Sequence, residues 1–243
     1  MKKISILALA AVTLFAACTP KYNPNDARTF GLTGDVKEVH FSEEMVEAST
    51  EEAATYFWAE QDKLEMTFDE KGRITLDSYG TVYKYDEAGV FVSDDVPEAV
   101  MSRDARGRIE VYDHTCLEDA DFTHYDISKF YKYSYTYDAK GRPATAELGG
   151  WEWGENRTYA YDGAKVYPSV ITKEGGSEGW NEKTTLSYDY TKFDARGNWT
   201  ERMVTKVTEG WEEPWEEGAV AQVDTTTVKS RQVRSISYWS DAE

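Results

Sequence analysis

One short pattern returns five times along the chain and governs most of what it can fold into. It runs as an aromatic residue or Arg, then Asp, two polar or small residues, Gly, and a variable residue often followed by an apolar one. The copies are FDEKGRI from Phe68, YDEAGVF from Tyr85, RDARGRI from Arg103, YDAKGRP from Tyr137 and FDARGNW from Phe193. Asp69, Asp86, Asp104, Asp138 and Asp194 can each accept backbone N–H bonds from the residues that follow. Gly72, Gly89, Gly107, Gly141 and Gly197 can supply the positive φ that closes a type I turn with a G1 bulge. Each copy therefore reads as a hairpin turn with antiparallel strands on both flanks.

The flanks carry the matching period of two. Leu64, Met66 and Phe68 alternate with Lys63, Glu65 and Thr67, and Ile74 and Leu76 leave the turn on the other side. Tyr131, Tyr133, Tyr135 and Tyr137 alternate with Lys132, Ser134 and Thr136, while Val36 to Phe41 and Arg234, Ile236, Tyr238 read as opening and closing strands. The Asp-to-Asp steps are 17, 18, 34 and 56 residues; the last gap holds a degraded copy, Tyr161-Asp162-Gly163, and a loop from Gly175 to Gly179. Helical signal is confined to Ser42 to Phe57, as one short helix or a long mobile loop. The expected fold is all-β: an antiparallel meander of successive hairpins in one domain, residues 30–243. A sheet of roughly ten or more strands should curl strongly, as far as an open barrel, because long twisted sheets rarely stay flat. The alternative is a β-sandwich.

The first residues bear on the address. Lys2 and Lys3 precede an apolar run from Ile4 to Phe15, then Ala16 and Ala17 lead to Cys18, so residues 1–17 read as a secretory signal peptide, too short for a spanning helix. Leu14-Phe15-Ala16-Ala17-Cys18 resembles a bacterial lipobox, which implies that Cys18 is acylated and becomes the new N-terminus. Residues 18–29, polar and rich in Pro and Asn, read as a tether. With Cys18 acylated, Cys116 has no disulfide partner.

Charge removes several function classes. The chain has 27 basic and 45 acidic residues, net −18, which falls to −20 once the two lysines of the leader are lost. Such a chain repels polyanions, so no nucleic-acid partner is expected, and membrane attachment must come from acyl chains. Its 14% aromatic content is too high for a disordered acidic chain.

Taken in order, these motifs carry a family resemblance. The turns resemble YD repeats of Rhs-type proteins, and the plan is similar to small YD-repeat-like lipoproteins of Bacteroidota. The resemblance rests on the lipobox, GLTGDVKEV from Gly31, the Asp–Gly hairpins, FDARGNWTER from Phe193 and RSISYW from Arg234, and it spans Gly31 to Trp239. Arg103 and Val90 depart from the pattern, as does the spacing. The resemblance implies a curled antiparallel sheet and no settled activity.

Candidate chemistry is sparse. The turn aspartates offer one carboxylate each without the alternating ligands of a cation loop, so capping explains them better than calcium. His114 and Cys116, two apart, would share a strand face as a thiolate–imidazole pair, but a third, orienting group is missing; His40 and His124 have no motif. No zinc spacing, phosphate loop or serine elbow is present, and no cofactor is expected. The tryptophans are more suggestive. Trp151, Trp153, Trp180, Trp211 and Trp215 neighbour glycine-rich, acidic segments, as a carbohydrate platform requires; the simpler alternative has the rings fold back over the sheet. The expected function is a non-enzymatic, membrane-anchored cell-envelope lipoprotein acting as a binding or structural scaffold for an unidentified protein partner, alternatively a glycan-binding surface module. An outer-membrane location facing the periplasm is favoured over the cell surface, because no acidic run follows Cys18.

Overall fold

A computed structural model describes residues 25–59, 65–77, 82–93, 99–113, 131–150, 153–177, 179–214 and 220–241. The N-terminal strands are β1 (Val36–Ala48), β2 (Glu65–Phe68), β3 (Ile74–Leu76), β4 (Lys84–Tyr85) and β5 (Phe91–Val92), with one helix, α1 (Glu51–Ala59), after β1. Then come β6 (Val100–Arg103), β7 (Ile109–Asp113), β8 (Tyr131–Tyr137), β9 (Pro143–Gly150), β10 (Trp153–Ala160), β11 (Val170–Ser177), β12 (Trp180–Phe193), β13 (Trp199–Glu212) and β14 (Asp224–Tyr238). The repeated turns join strands as their chemistry dictates. All five turn glycines take positive φ, from 70° to 84°, and each donates its N–H to the carbonyl of its own turn aspartate.

Twelve strands form one antiparallel sheet. β6 to β14 follow one another as a meander; β1 then pairs along the free side of β14, and β2 and β3 extend beyond it. The first long strand thus lies against the last, with Phe41 opposite Arg234 and Val39 opposite Ile236. The sheet curls but does not close, since β3 and β6 remain its edges. A separate hairpin, β4–β5, bridges the gap. Tyr83 donates its N–H to the Thr75 carbonyl (2.9 Å), the Tyr85 hydroxyl donates to the Ile74 carbonyl (2.9 Å), and Phe91 meets Tyr112 edge-on at 5.5 Å. One curled sheet with its core on the concave face replaces the β-sandwich alternative. That core contains Val39, Phe68, Ile74, Tyr112, Tyr133 and Leu148.

The segment before β1 belongs to this core. Residues 26–29, expected in the tether, are folded: Asp26 and Ala27 are buried, and Asp26–Arg28 forms a 3-10 turn. Asp26 accepts from the Ile74 N–H (2.9 Å) and from both terminal nitrogens of Arg103 (2.5 and 2.9 Å), while its own N–H donates to the Gly72 carbonyl (2.8 Å). The turn-side ends of β3 and β6 are thereby tied through one buried carboxylate. Thr29 reaches the Tyr137 hydroxyl and Thr33 bonds Asn198, so residues 25–33 plug the turn end of the trough.

Two boundaries differ from the sequence reading. Ser42 to Ala48 continues β1 because Met45 and Ala48 pack against Val228 and Ala53; the helix starts only at Glu51. Gly175 to Ser177 is strand, not loop, and the next strand begins at Trp180.

Candidate functional site

At the turn end, three copies of the repeat build the same ladder. Asp69 Oδ1 accepts from the N–H groups of Lys71 and Arg73 at 2.9 Å each, and Oδ2 accepts from Arg73 Nε at 2.7 Å. The Arg73 guanidinium then lies over the Tyr85 ring, 4.1 Å from its centre. Asp104–Arg108 stacks on Tyr137 at 3.9 Å, and Tyr137 donates to the Ile109 carbonyl (2.6 Å); Asp138–Arg142 stacks on Tyr161 at 4.0 Å, and Tyr161 donates to the Pro143 carbonyl (2.8 Å). Burial opposes ionisation of Asp104 and Asp138, but bonds from Arg108 and Arg142 outweigh it and hold both carboxyls below the usual range. These aspartates are occupied as turn caps. The arginine's role is not apparent from the repeat, although its signal is present: Arg stands four residues after Asp in three of the five copies. In the fifth, buried Asn198 takes that place and donates to the Tyr238 hydroxyl (2.7 Å).

Behind the plug, the concave face borders a partly open cavity of about 300 Å³. Its wall is strongly aromatic, including Phe41, Tyr112, Tyr133, Tyr188 and Trp199, and Phe30 of the plug lines it as well. Three arginines border it, Arg157, Arg202 and Arg234. Arg202 lies over Tyr188 (4.0 Å) and Trp199 (4.1 Å) and donates from Nε to Gln232 (2.6 Å). Arg234 is 3% exposed, lies 3.8 Å from the Trp199 ring centre and donates from Nε to the Trp199 carbonyl (2.5 Å). Its Nη2 is buried and has no hydrogen-bond partner among the described residues. Burial first, and then Arg202, push the Arg234 pKa down to about 9, which leaves it charged at neutral pH.

Farther along the same face is a second concavity of about 220 Å³. Trp153 and Trp180 border it, 44% and 43% exposed, with Glu155, Lys173 and Glu182 between them. Glycines make room for the rings. A Cβ on Gly150 would fall 2.1 Å from Trp153 Nε1, and one on Gly210 would fall 2.4 Å from Trp180 Cζ2. Arg157, which borders the aromatic cavity, pairs with Glu155, which borders this cleft.

Of the five tryptophans singled out in the sequence, the structure brings Trp153 and Trp180 to one cleft. Trp211 opposes Asn181 and points to the other face of the sheet. Trp151, Trp215, Cys18, His114, Cys116 and His124 lie outside the described residues. His40 is exposed on β1, with Nε2 3.0 Å from Glu38 Oε1 and Glu65 nearby; these three are the only group of metal-type ligands found among the described residues. Among those residues no helix is long and apolar enough to cross a membrane. The chain matches no protein-family model, and no curated protein matches it.

Proposed function

We propose that this chain is a membrane-anchored cell-envelope lipoprotein of the YD-repeat-like kind, held by an acylated Cys18, that binds a partner on the concave face of its sheet and catalyses no reaction. The observation that carries this reading is the cavity: the sheet curls around about 300 Å³ of aromatic-walled space that its own core and plug leave unfilled. Concave, mostly apolar spaces with a few placed polar groups are where small ligands bind. The ladder of Asp, Arg and Tyr gives that space a stiff rim. Asn25 stands seven positions after Cys18, so an anchor at Cys18 would hold the plugged turn end within roughly 25 Å of the bilayer. The tryptophan cleft then faces away from it, on the periplasmic side of the outer membrane.

A second reading, a glycan-binding module, is favoured by that cleft. Two half-exposed indoles flank a glycine floor with carboxylates beside it, which suits stacking on sugar C–H faces and acceptance of hydroxyl protons. Fractionation and intact mass test the anchor: wild type should be acylated and membrane-bound, and Cys18→Ala unacylated and released. An unacylated variant retained on membranes would overturn it. Oligosaccharide titration followed by Trp fluorescence separates the two readings. Quenching lost in Trp153→Ala and Trp180→Ala favours the glycan module; a broad panel without response removes it.

A further inference from the structure

We infer that the aromatic cavity is a binding site for a small amphipathic carboxylate, with the anionic group held at Arg234 and the apolar body lying along the tyrosine-lined wall. The inference rests on the concave-face reading and names the chemistry of its ligand. Three observations converge on it. Arg234 is nearly fully buried, yet among the described residues it meets one carbonyl and one indole and no carboxylate within salt-bridge reach, Asp194 acting on it only from farther off, and its Nη2 is unsatisfied. A buried charge without a counter-ion is costly, and proteins rarely keep one unless something supplies the missing charge. Here the group borders a cavity rather than packed core.

The nearby groups sharpen the choice of ligand. Arg202 adds a second positive charge on the same indole. Two carboxylates also border the cavity, but both are engaged: Asp77 accepts from Tyr83 (2.8 Å) and Glu43 accepts from Ser230. A guanidinium favours planar, bidentate acceptors, and carboxylate fits that geometry. The wall beyond offers flat rings and aliphatic side chains such as Met66 and Ile171, which suits a flat or slender apolar body of modest size. The chain's net charge of −18 opposes anion entry from a distance, so recognition has to be local.

The test is calorimetric titration of the full mature chain with two matched pairs: 2-naphthoate against 2-naphthamide, and decanoate against decanamide. At least one carboxylate should bind roughly tenfold or more tightly than its amide, the preference expected of a charge-assisted bond. Arg234→Met and Arg234→Gln, each checked for native near-ultraviolet circular dichroism, should lose that preference while still binding the amide. Arg234→Met should also melt no lower than wild type, because replacing an unpaired buried charge by an apolar side chain removes its desolvation cost. Equal binding of acid and amide would overturn the inference and leave the cavity as a binding site. Binding of neither would overturn both. If neither variant folds, the wild-type comparison of acid with amide decides alone.

Discussion

Arg108 shows what one side chain contributes in this fold. Its guanidinium pairs with Asp104, reinforces a turn cap and covers the ring of Tyr137, whose hydroxyl is committed to the Ile109 carbonyl. A partly buried, charge-assisted contact combined with stacking is worth more than a surface ion pair. Arg108→Met should therefore cost about 2 kcal/mol in urea unfolding. Arg108→Lys should fall between, because lysine keeps the charge but not the planar fork. The aspartates and glycines of the turns were legible in the sequence, since their requirement is local: a carboxylate two to four residues from its donors and a backbone at positive φ. The arginine's role was not, because the ring it covers lies on a different hairpin, 29 residues away for Arg108 and Tyr137.

Hairpins are the elements of this protein, and one of the ties between them is not a strand pairing. Asp26, from a segment that reads as tether, sits buried between the β2–β3 turn and Arg103 of β6. Arg103 was also the copy that broke the aromatic-Asp rule. Its departure makes sense once Asp26 is seen opposite it: the guanidinium also donates to the Gly107 carbonyl (2.9 Å) and joins its own turn to the far edge of the sheet. Asp26→Asn and Arg103→Met should each lower stability by about 3–5 kcal/mol, because each strands a buried charge, while the double variant should lose clearly less than the sum. Urea unfolding of the four proteins measures the coupling. Additive losses would show that the two groups act independently. Period-two alternation located most strands, but the length of β1 was hidden because Ser42 to Ala48 holds three Glu and resembles a helix; packing of Met45 on Val228 overrides that propensity.

At the scale of the whole molecule, the tyrosines set a limit on alkaline stability. Burial is the first cause that raises the pKa of Tyr137, Tyr190 and Tyr238, each to about 12, and Tyr85 and Tyr161 are raised as well. In the unfolded chain a tyrosine ionises near 10. The folded state therefore holds its phenolic protons while the unfolded state loses them. Stability from these groups is fully present below pH 10 and declines as pH rises from 10 toward 12. Thermal melts across that range should show a steep fall, with phenolate absorbance rising together with unfolding. A flat melting profile would contradict the buried ladder.

The sequence alone determined that this chain is all-β, that five Asp–Gly turns organise it, and that its strands run as an antiparallel meander; that they form one curled sheet and not a sandwich came from the structure. The first three outcomes depend on turn chemistry and on alternation, and both operate over a few residues. Only the tertiary structure decided that β1 closes against β14, that Asp26 to Thr33 plug the turn end, and that β4–β5 fills the gap between the sheet edges. It alone placed Arg234 beside a cavity and brought Trp153 and Trp180, but not Trp211, to one cleft. The reason is physical. Which face of the sheet a side chain occupies depends on register, and which groups meet across a curl depends on how far twelve strands have turned, a sum of small twists that no local stretch of sequence contains.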